Sequence, residues 1–422
     1  MSSAADSSRG NGPASGTTKE EAASLPPHPA ALTTRCAAVL GGGSFGTALS
    51  QLLARQGTQV RLWMRDKAVI ESINERHENP KYLAGQNLSE KIKATSSVAE
   101  AVSGVAVVLL AVPTAYFRGF LLEHMSVLPV GVPLICCSKG IENDTLLTPF
   151  EIMEYELPGK YHRYIVVLSG PSFAKEVING KPTSVTIAAR DPAIAKLAQY
   201  YVSDKLFRAY RSTDVIGVEI CGAIKNVYAI AAGACDGCDF GFDGRAAMIT
   251  RGLAEIARLA VIKGANPLTI SGLAGVGDLV LTCTGNLSRN WQVGNRLAQG
   301  EKLEDVIKSM KMVAEGVNTA KSLMQMVKKY NIEMPIAEEV YKVLYEGKSI
   351  EEAMNSLSSR ALGEEIDDTV KEVVGLPAGP SAPVVARQAG SGLRQSSLTL
   401  PGAGGIGVDD QHTPSKLVEH LP

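Results

Sequence analysis

The sequence predicts an α/β protein in which an N-terminal, doubly wound Rossmann-type sheet is followed by an all-helical C-terminal domain. Short apolar runs alternate with helical patterns between Cys36 and about Tyr210, which is typical of a parallel sheet covered on both faces. After about Asp214 the strand-like runs stop, and helical periodicity continues alone. A glycine-rich turn follows the first apolar run, as in sheets of this class.

The predicted elements follow in chain order, and the continuous apolar character of the strands indicates burial on both faces. The predicted strands are Cys36–Leu40, Gln59–Met64, Val105–Pro113, Leu134–Ser138, Tyr164–Gly170 and Ser184–Ala189. The predicted helices of the second domain are Ile216–Ala234, Arg245–Lys263, Arg289–Gln299, Val317–Tyr330 and Ile336–Tyr345.

The composition divides the 422 residues into four segments. Every aromatic residue lies between Phe45 and Tyr345, and both ends are rich in small residues, Pro and Gly. Such ends bury too little apolar surface to offset chain entropy. We expect a disordered tail or transit peptide at 1–34, a dinucleotide-binding domain at 35–213, a helical substrate and catalytic domain at 214–366, and a disordered tail at 367–422. Acidic residues in the first tail weigh against a transit peptide, so cytoplasmic and plastid locations both stay open.

Charge and cysteine content exclude several classes of protein. The formal net charge is −1, so no general attraction to nucleic acid or to an anionic membrane is expected. An odd number of cysteines, seven, favours a reducing compartment. Cys235 and Cys238 lack a partner pair, so we interpret them as ordinary thiols and expect no metal site. The apolar run Val215–Ala234 is long enough to span a membrane, but Glu219 and Lys225 interrupt it and favour a buried helix.

Three glycines predict a dinucleotide site. Gly41, Gly43 and Gly46 form a G-x-G-x-x-G pattern between a strand and a helix, where free N–H groups meet a pyrophosphate. The next strand ends with Arg65 and Asp66. Arg65 could meet a 2′-phosphate or stack on adenine, whereas Asp66 could accept a hydrogen bond from a ribose 2′-hydroxyl. NADP and NAD are therefore both admissible.

Two further loops point to the same edge of the predicted sheet. Lys139 follows one predicted strand, and Gly170, Ser172 and Ala174 follow another. Because α/β sheets bind ligands at the carboxyl ends of their strands, two such loops together indicate a site.

Lys225 is the candidate for proton transfer in the second domain. It lies within an apolar helical pattern, with the small residues Gly222 and Ala229 on its face. Burial should lower the pKa of its amine toward the range that suits proton transfer. Asp278, amid small residues, could bond a hydroxyl or orient the lysine. A lysine that extends to the surface is the alternative.

A phosphate cradle is predicted at the start of a later helix. Ser288, Arg289 and Asn290 open that helix, where N–H groups and a guanidinium suit an anion. A plain N-cap would also explain Ser288, and a cap would explain Glu315 before another helix.

These segments together resemble the soluble NAD(P)-dependent glycerol-3-phosphate dehydrogenases of the bacterial and plastid type. The similar motifs run in family order from about Cys36 to Leu362: "VLGGGSFGTAL", "LWMRD", "AVP", "SKGIE", "LSGPSFAKEV", "GVEICGAIKNVYAIAAG", "AAMITRG", "GLAGVGDLVLTCTGNLSRN" and "VAEGVNTA". The glycine turn departs from the Ala and Trp of many bacterial members. Asp243 and Gly244 stand where the family often has Asn and a small polar residue.

The resemblance implies interconversion of dihydroxyacetone phosphate and sn-glycerol 3-phosphate with NAD(P)H, which supplies glycerolipid synthesis. It also implies a homodimer, with Lys225 as proton donor and acceptor. The implied cofactor residues are Gly41, Gly43, Ser44, Phe45, Gly46, Arg65, Lys139, Ala174, Arg289, Val313 and Glu315. The implied substrate residues are Lys139, Gly170, Ser172, Lys225, Asp278, Ser288, Arg289 and Asn290.

Two alternatives stay open at this point. Related two-domain dehydrogenases, such as ketopantoate reductases and 3-hydroxyacid dehydrogenases, share this layout but do not need the Ser-Arg-Asn cradle. A nucleotide-binding sensor without turnover would keep the glycines and lose Lys225 or Asp278, and both residues are present.

Overall fold

An eight-stranded sheet forms the first half of the chain. The computed structural model describes residues 35–310, 314–366 and 368–377. The strands are β1 (Cys36–Leu40), β2 (Gln59–Trp63), β3 (Ile92–Thr95), β4 (Val107–Leu110), β5 (Leu134–Cys136), β6 (Ile165–Ser169), β7 (Thr183–Ala188) and β8 (Phe207–Ser212).

The strand order is β3-β2-β1-β4-β5-β6-β7-β8, and all neighbouring pairs are parallel except β6 and β7. The order changes direction between β1 and β4, which is the point where doubly wound sheets bind their ligands. Leu40 is in register with both Trp63 and Leu110, so the carboxyl ends of these three strands lie level with one another.

The predicted fold class is confirmed, but the prediction of a wholly parallel sheet was incomplete. It omitted β3 and β8 and did not anticipate that β7 runs antiparallel to β6. In β3 and β8 buried and exposed residues alternate, and β8 carries Arg208 and Arg211 at the edge of the sheet. The continuous apolar signal of a fully buried strand is therefore missing from both.

Helices cover both faces of the sheet, and each face has its own apolar core. Val39 and Leu109 point into one core, and their neighbours Leu40 and Leu110 into the other, as the two-residue period of a strand requires. The helices are α1 (Ser44–Arg55), α2 (Lys67–Arg76), α3 (Val98–Val102), α4 (Thr114–His124), α5 (Pro149–Glu156), α6 (Gly159–His162), α7 (Ala174–Ile178) and α8 (Pro192–Val202), with a 3₁₀ turn at Met125–Val127.

Helices alone follow β8 within the part of the chain that the structure describes. They are α9 (Val215–Gly237), α10 (Gly241–Ile262), α11 (Pro267–Ile270), a π-helical turn (Leu273–Gly277), α12 (Asp278–Thr284), α13 (Arg289–Ala298), α14 (Leu303–Ser309), α15 (Glu315–Tyr330), α16 (Pro335–Tyr345), α17 (Ile350–Ser358) and α18 (Asp368–Val373). All five helices predicted for this half are present, with ends that differ by at most a few residues.

Helix α9 is the centre of the helical half. A third core is built around it, and the backbones of α9 and α13 approach closely. A Cβ on Gly233 of α9 would lie 1.9 Å from Trp291 O, and one on Gly294 of α13 would lie 1.8 Å from Ile230 O. Glycine is therefore required at both positions, and α9 is covered on several sides, as the sequence predicted.

Two helical stretches are long and apolar enough to cross a membrane by length and composition. They are Val215–Gly237, with 89% of its apolar window buried inside the protein, and Pro267–Thr284, with 39% buried. The first is therefore buried to the extent expected of a core helix.

Helix α18 lies inside the segment 367–422 that the composition predicted to be disordered, so that prediction was wrong for Asp368–Val373. The Pro- and Gly-rich residues that follow this helix dominate the average composition of the segment 367–422. The helix itself has neither residue type, and Lys371 pairs with Glu364 and Asp368. The predictions for 1–34 and for the chain beyond residue 377 lie outside the described residues.

Candidate active site

The glycine turn after β1 leaves space for a pyrophosphate. Gly41 has φ +124°, and a Cβ there would lie 2.4 Å from Ala111 O; a Cβ on Gly46 would lie 1.8 Å from Gly41 O. A Cβ on Gly43, in contrast, would meet no atom within 4 Å. Gly43 is the N-cap of α1 and provides no side-chain cap. Gly41 and Gly46 therefore pack the turn tightly, while Gly43 faces open space beside a helix N-terminus that suits an anion.

The segment Asn79–Tyr82 is bound to this turn. Asn79 is buried and donates to Gly42 O at 3.1 Å and to Thr47 Oγ1 at 2.9 Å. Ser44 Oγ donates to Tyr82 O at 3.1 Å. The segment is thus fixed beside the predicted cofactor residue Ser44. Its neighbour Phe45 is partly buried against the core of the sheet.

The end of β2 presents one exposed cation and one carboxylate that is already bonded. The Arg65 guanidinium carbon lies 5.6 Å from the ring centroid of Tyr116, which is 56% exposed. Asp66 caps α2 by accepting from Val69 N at 3.3 Å and pairs with Lys81 Nζ at 2.8 Å. Arg65 and Tyr116 together offer a cation and an aromatic face to the adenosine end of a dinucleotide.

Two lysines from the two halves of the chain meet at one carboxylate. Lys225 of α9 donates to Asp278 Oδ1 at 2.5 Å, and Lys139 after β5 donates to Asp278 Oδ2 at 2.7 Å. Lys225 is 7% exposed and Asp278 1%. The surface-lysine alternative is therefore wrong, and Asp278 has the orienting contact that the sequence analysis considered.

Thr282 completes the contacts of the Lys225 amine. Its Oγ1 accepts from Lys225 Nζ at 2.6 Å and donates to Asp278 O at 2.6 Å. Asp278 and Thr282 lie four residues apart on α12 and therefore on the same face of that helix. The π-helical turn that ends directly before Asp278 leads into the start of α12. An ammonium has three N–H donors, so these two bonds leave one for a substrate.

Burial, and to a smaller extent the neighbouring Lys139, lower the pKa of Lys225, and Asp278 raises it, so that the net pKa is about 8. Burial also raises the pKa of Glu315 to about 7, against the attraction of Arg289, Lys139 and Lys225. Lys225 and Glu315 thus both respond to the charge of Lys139. The Lys225 amine therefore titrates in the range that suits a general acid and base.

The loop after β6 supports Lys139. Gly170 O accepts from Lys139 Nζ at 3.4 Å and from Ser172 Oγ at 2.9 Å. Gly170 has φ +137°, and a Cβ there would lie 2.9 Å from Val185 Cα, so the loop requires glycine. Ala174 begins α7 at the end of the same loop.

The start of α13 is tied to the start of α15. Ser288 caps α13 by accepting a backbone N–H of its first turn, so the cap alternative is realised there. Asn290 Oδ1 accepts from Gly316 N at 2.9 Å, whereas Arg289 stays exposed. Glu315 is the first residue of α15, and Ala314 stands at the cap, so the cap alternative for Glu315 is wrong. Val313 lies outside the described residues.

Sequence reasoning missed Thr282, Tyr116 and Lys81. Thr282 lies one helical turn after Asp278, and that spacing was the signal available for it. Tyr116 and Lys81 reach the site from α4 and from the loop after α2, and no local pattern marks either residue.

Comparison with known proteins agrees with this geometry. The sequence profile for the N-terminus of NAD-dependent glycerol-3-phosphate dehydrogenase matches residues 36–195, and the profile for its C-terminus matches residues 214–355. The glycerol-3-phosphate dehydrogenase [NAD(P)+] of Myxococcus xanthus (strain DK1622) is 52% identical over 328 residues, which cover 78% of this chain and 98% of that protein. Its counterpart in Bacillus subtilis (strain 168) is 48% identical over 332 residues, 79% and 96% of the two chains. The crystal structure of glycerol-3-phosphate dehydrogenase from Coxiella burnetii matches with a TM-score of 0.73 at 34% identity, over 78% of this chain and 99% of that one.

Proposed function

The chain belongs to the NAD-dependent glycerol-3-phosphate dehydrogenase family, and from that premise we propose that it interconverts dihydroxyacetone phosphate and sn-glycerol 3-phosphate with NAD(P)H. The observation that carries the proposal is the buried Lys225 amine, bonded to Asp278 and Thr282. When bound, the nicotinamide supplies or accepts the hydride at the carbonyl carbon.

Lys225 acts as the proton donor in reduction. Two of its N–H groups are held by Asp278 and Thr282, so the third is donated to the carbonyl oxygen of the substrate. As the carbon gains a hydride, the oxygen takes the proton and the amine becomes neutral. In oxidation the neutral amine takes the proton back from the hydroxyl. Asp278 keeps the amine charged, and Thr282 fixes its direction.

The phosphate of the substrate is bound by the cradle at the start of α13, together with Lys139. Guanidinium and ammonium groups make charge-assisted hydrogen bonds to phosphate oxygens, and Arg289 is exposed where such a group can reach it. We assign the substrate to Lys139, Gly170, Ser172, Lys225, Asp278, Ser288, Arg289 and Asn290. We assign the dinucleotide to Gly41, Gly43, Ser44, Phe45, Gly46, Arg65, Lys139, Ala174, Arg289, Val313 and Glu315.

The organisation of the enzyme is part of the proposal. Residues 35–213 bind the dinucleotide and 214–366 carry the catalytic lysine; the two matched profiles, at 36–195 and 214–355, support this division. We propose a homodimer without a membrane span, located in the cytoplasm because the matched relatives are bacterial. The relatives lend no support to a plastid location. Light scattering of the purified chain tests the dimer.

The activity is tested by following the absorbance of NADPH or NADH as the purified full chain is mixed with dihydroxyacetone phosphate. Substrate-dependent oxidation of the cofactor, with sn-glycerol 3-phosphate as product, is expected. Dihydroxyacetone without its phosphate should react far more slowly, because the cradle then has no partner. A folded, dinucleotide-binding chain that leaves dihydroxyacetone phosphate unreduced and reduces ketopantoate would overturn the proposal.

A further inference from the structure

Asp66 stands where an NAD-binding Rossmann domain places an acid to hold the ribose 2′-hydroxyl. In this chain both of its oxygens already accept hydrogen bonds. Oδ1 accepts from Val69 N at 3.3 Å as the N-cap of α2, and Oδ2 accepts from Lys81 Nζ at 2.8 Å. The carboxylate thus already caps a helix and pairs with a cation at the position where the second strand ends.

The backbone on both sides of Lys81 is fixed to the glycine turn. The Asn79 side chain is 1% exposed, donates to Gly42 O and accepts from Tyr82 N at 3.2 Å, while Ser44 holds Tyr82 O. The Lys81 side chain itself is 50% exposed. Its ammonium has three donors and Asp66 takes one, and Nζ also lies 5.5 Å from the ring centroid of Tyr82.

Arg65 is the second cation at this position. It directly precedes Asp66, is exposed, and lies over Tyr116 with 5.6 Å between guanidinium carbon and ring centroid. Arg65 and Lys81 therefore flank the end of β2 from two separate segments of the chain. A phosphate on the ribose 2′-oxygen would meet two cations here, whereas a hydroxyl would meet a carboxylate whose charge is already paired with Lys81.

We propose that Lys81 is a specificity-determining residue that binds the 2′-phosphate of NADPH beside Arg65, and that Asp66 positions Lys81 instead of binding the ribose of NADH. The inference rests on the proposed function only in that the chain binds NAD(P)H; it does not depend on which substrate is reduced. The site thereby favours NADPH over NADH, a preference that the sequence left open between Arg65 and Asp66.

The test compares Lys81→Gln with Lys91→Gln by isothermal titration of the full chain, without substrate. Lys91 is the matched control because it is also exposed and its Nζ donates to Gly57 O. Both residues lie at the amino ends of β2 and β3, whereas Asp66 and Lys81 lie beyond the carboxyl end of β2. The probes are adenosine 2′,5′-bisphosphate against adenosine 5′-monophosphate, and NADPH against NADH. Lys81→Gln should weaken the two 2′-phosphorylated probes about fivefold and leave the other two unchanged or tighter, because Asp66 is released. Lys91→Gln should bind all four probes like the wild type.

Two further variants separate recognition from folding. Lys81→Arg keeps the cation and should retain most of the preference for 2′-phosphorylated probes. Asp66→Asn, placed in the Lys81→Gln chain, keeps a competent N-cap and removes the unpaired carboxylate, so it should restore part of the NADPH affinity. Equal losses in Lys81→Gln and Lys91→Gln, or equal losses for NADPH and NADH, would overturn the inference. A chain that binds the probes as expected but does not reduce dihydroxyacetone phosphate would leave this inference standing and refute the proposed function alone.

Discussion

Replacement of Asp278 by asparagine should move the pH dependence of ketone reduction to lower pH. The two oxygens of Asp278 accept from Lys225 and Lys139 at 2.5 and 2.7 Å. Asparagine keeps the shape of the side chain and removes the negative charge that pairs with Lys225. Burial then acts without compensation, and the pKa of Lys225 falls below its present value of about 8.

The size of the effect follows from that pKa of about 8. Roughly nine-tenths of the Lys225 amines are protonated at about pH 7. A contacting opposite charge favours the protonated amine about 10- to 1,000-fold, so its removal leaves between about one half and about one hundredth protonated. We therefore expect kcat/KM for reduction at neutral pH to fall about 2- to 90-fold from protonation alone.

The assay is kcat/KM for dihydroxyacetone phosphate, measured from about pH 5 to about pH 9. The wild type should lose activity as the pH rises through about 8, because reduction needs the protonated amine. Asp278→Asn should lose it at lower pH and recover part of it on acidification. Asp204→Asn is the matched control, since Asp204 pairs with Arg55 at 2.8 Å outside the site. An Asp278→Asn profile that falls at the wild-type pH refutes the reasoning.

Three further predictions concern separate parts of the fold. Gly43→Ala should fold normally and weaken dinucleotide binding in a titration, because its Cβ enters the open side of the turn. Gly46→Ala should instead lower the unfolding temperature, because its Cβ would lie 1.8 Å from a backbone oxygen. Thr282→Val should lower kcat about tenfold or more by removing a hydrogen bond to a charged amine, and Thr282→Ser should restore it. Burial raises the pKa of Glu219 from 4.5 to about 8, so the contribution of this carboxyl to the free energy of unfolding is complete below pH 4.5 and is lost as the pH rises through about 8. Glu219→Gln should therefore flatten the dependence of the unfolding temperature on pH between those two values, and an unchanged slope would contradict this.

The sequence predicts the strands that are continuously apolar and fails where the deciding contacts are distant. β1 and β4 are buried on both faces, and a short window of sequence contains that signal. β8 is an edge strand whose exposed positions carry arginines, so its window resembles a loop. The antiparallel direction of β7 is set by its pairing with β6 and β8, which no local pattern reports.

The candidate site shows the same division. Lys225 could be predicted because a charged residue in an apolar helical window is a local anomaly. Its partner Asp278 lies 53 residues further along the chain, and Lys139 lies 139 residues before Asp278. Their meeting at one carboxylate depends on how the sheet and the helices pack. The commitment of Asp66 to Lys81 likewise appears only once the loop after α2 is seen against the glycine turn.

The most direct test of the account is the Lys225→Ala variant, in which kcat with dihydroxyacetone phosphate and the Kd for NADPH are measured on the same preparation. Lys263→Ala is the control, because Lys263 is also largely buried and pairs with Glu151 at 2.7 Å, away from the site. The account predicts that Lys225→Ala lowers kcat about 100- to 10,000-fold with the Kd unchanged, and that Lys263→Ala keeps kcat. A Lys225→Ala enzyme that retains most of its kcat while it binds NADPH normally would contradict the assignment of Lys225 as the proton donor.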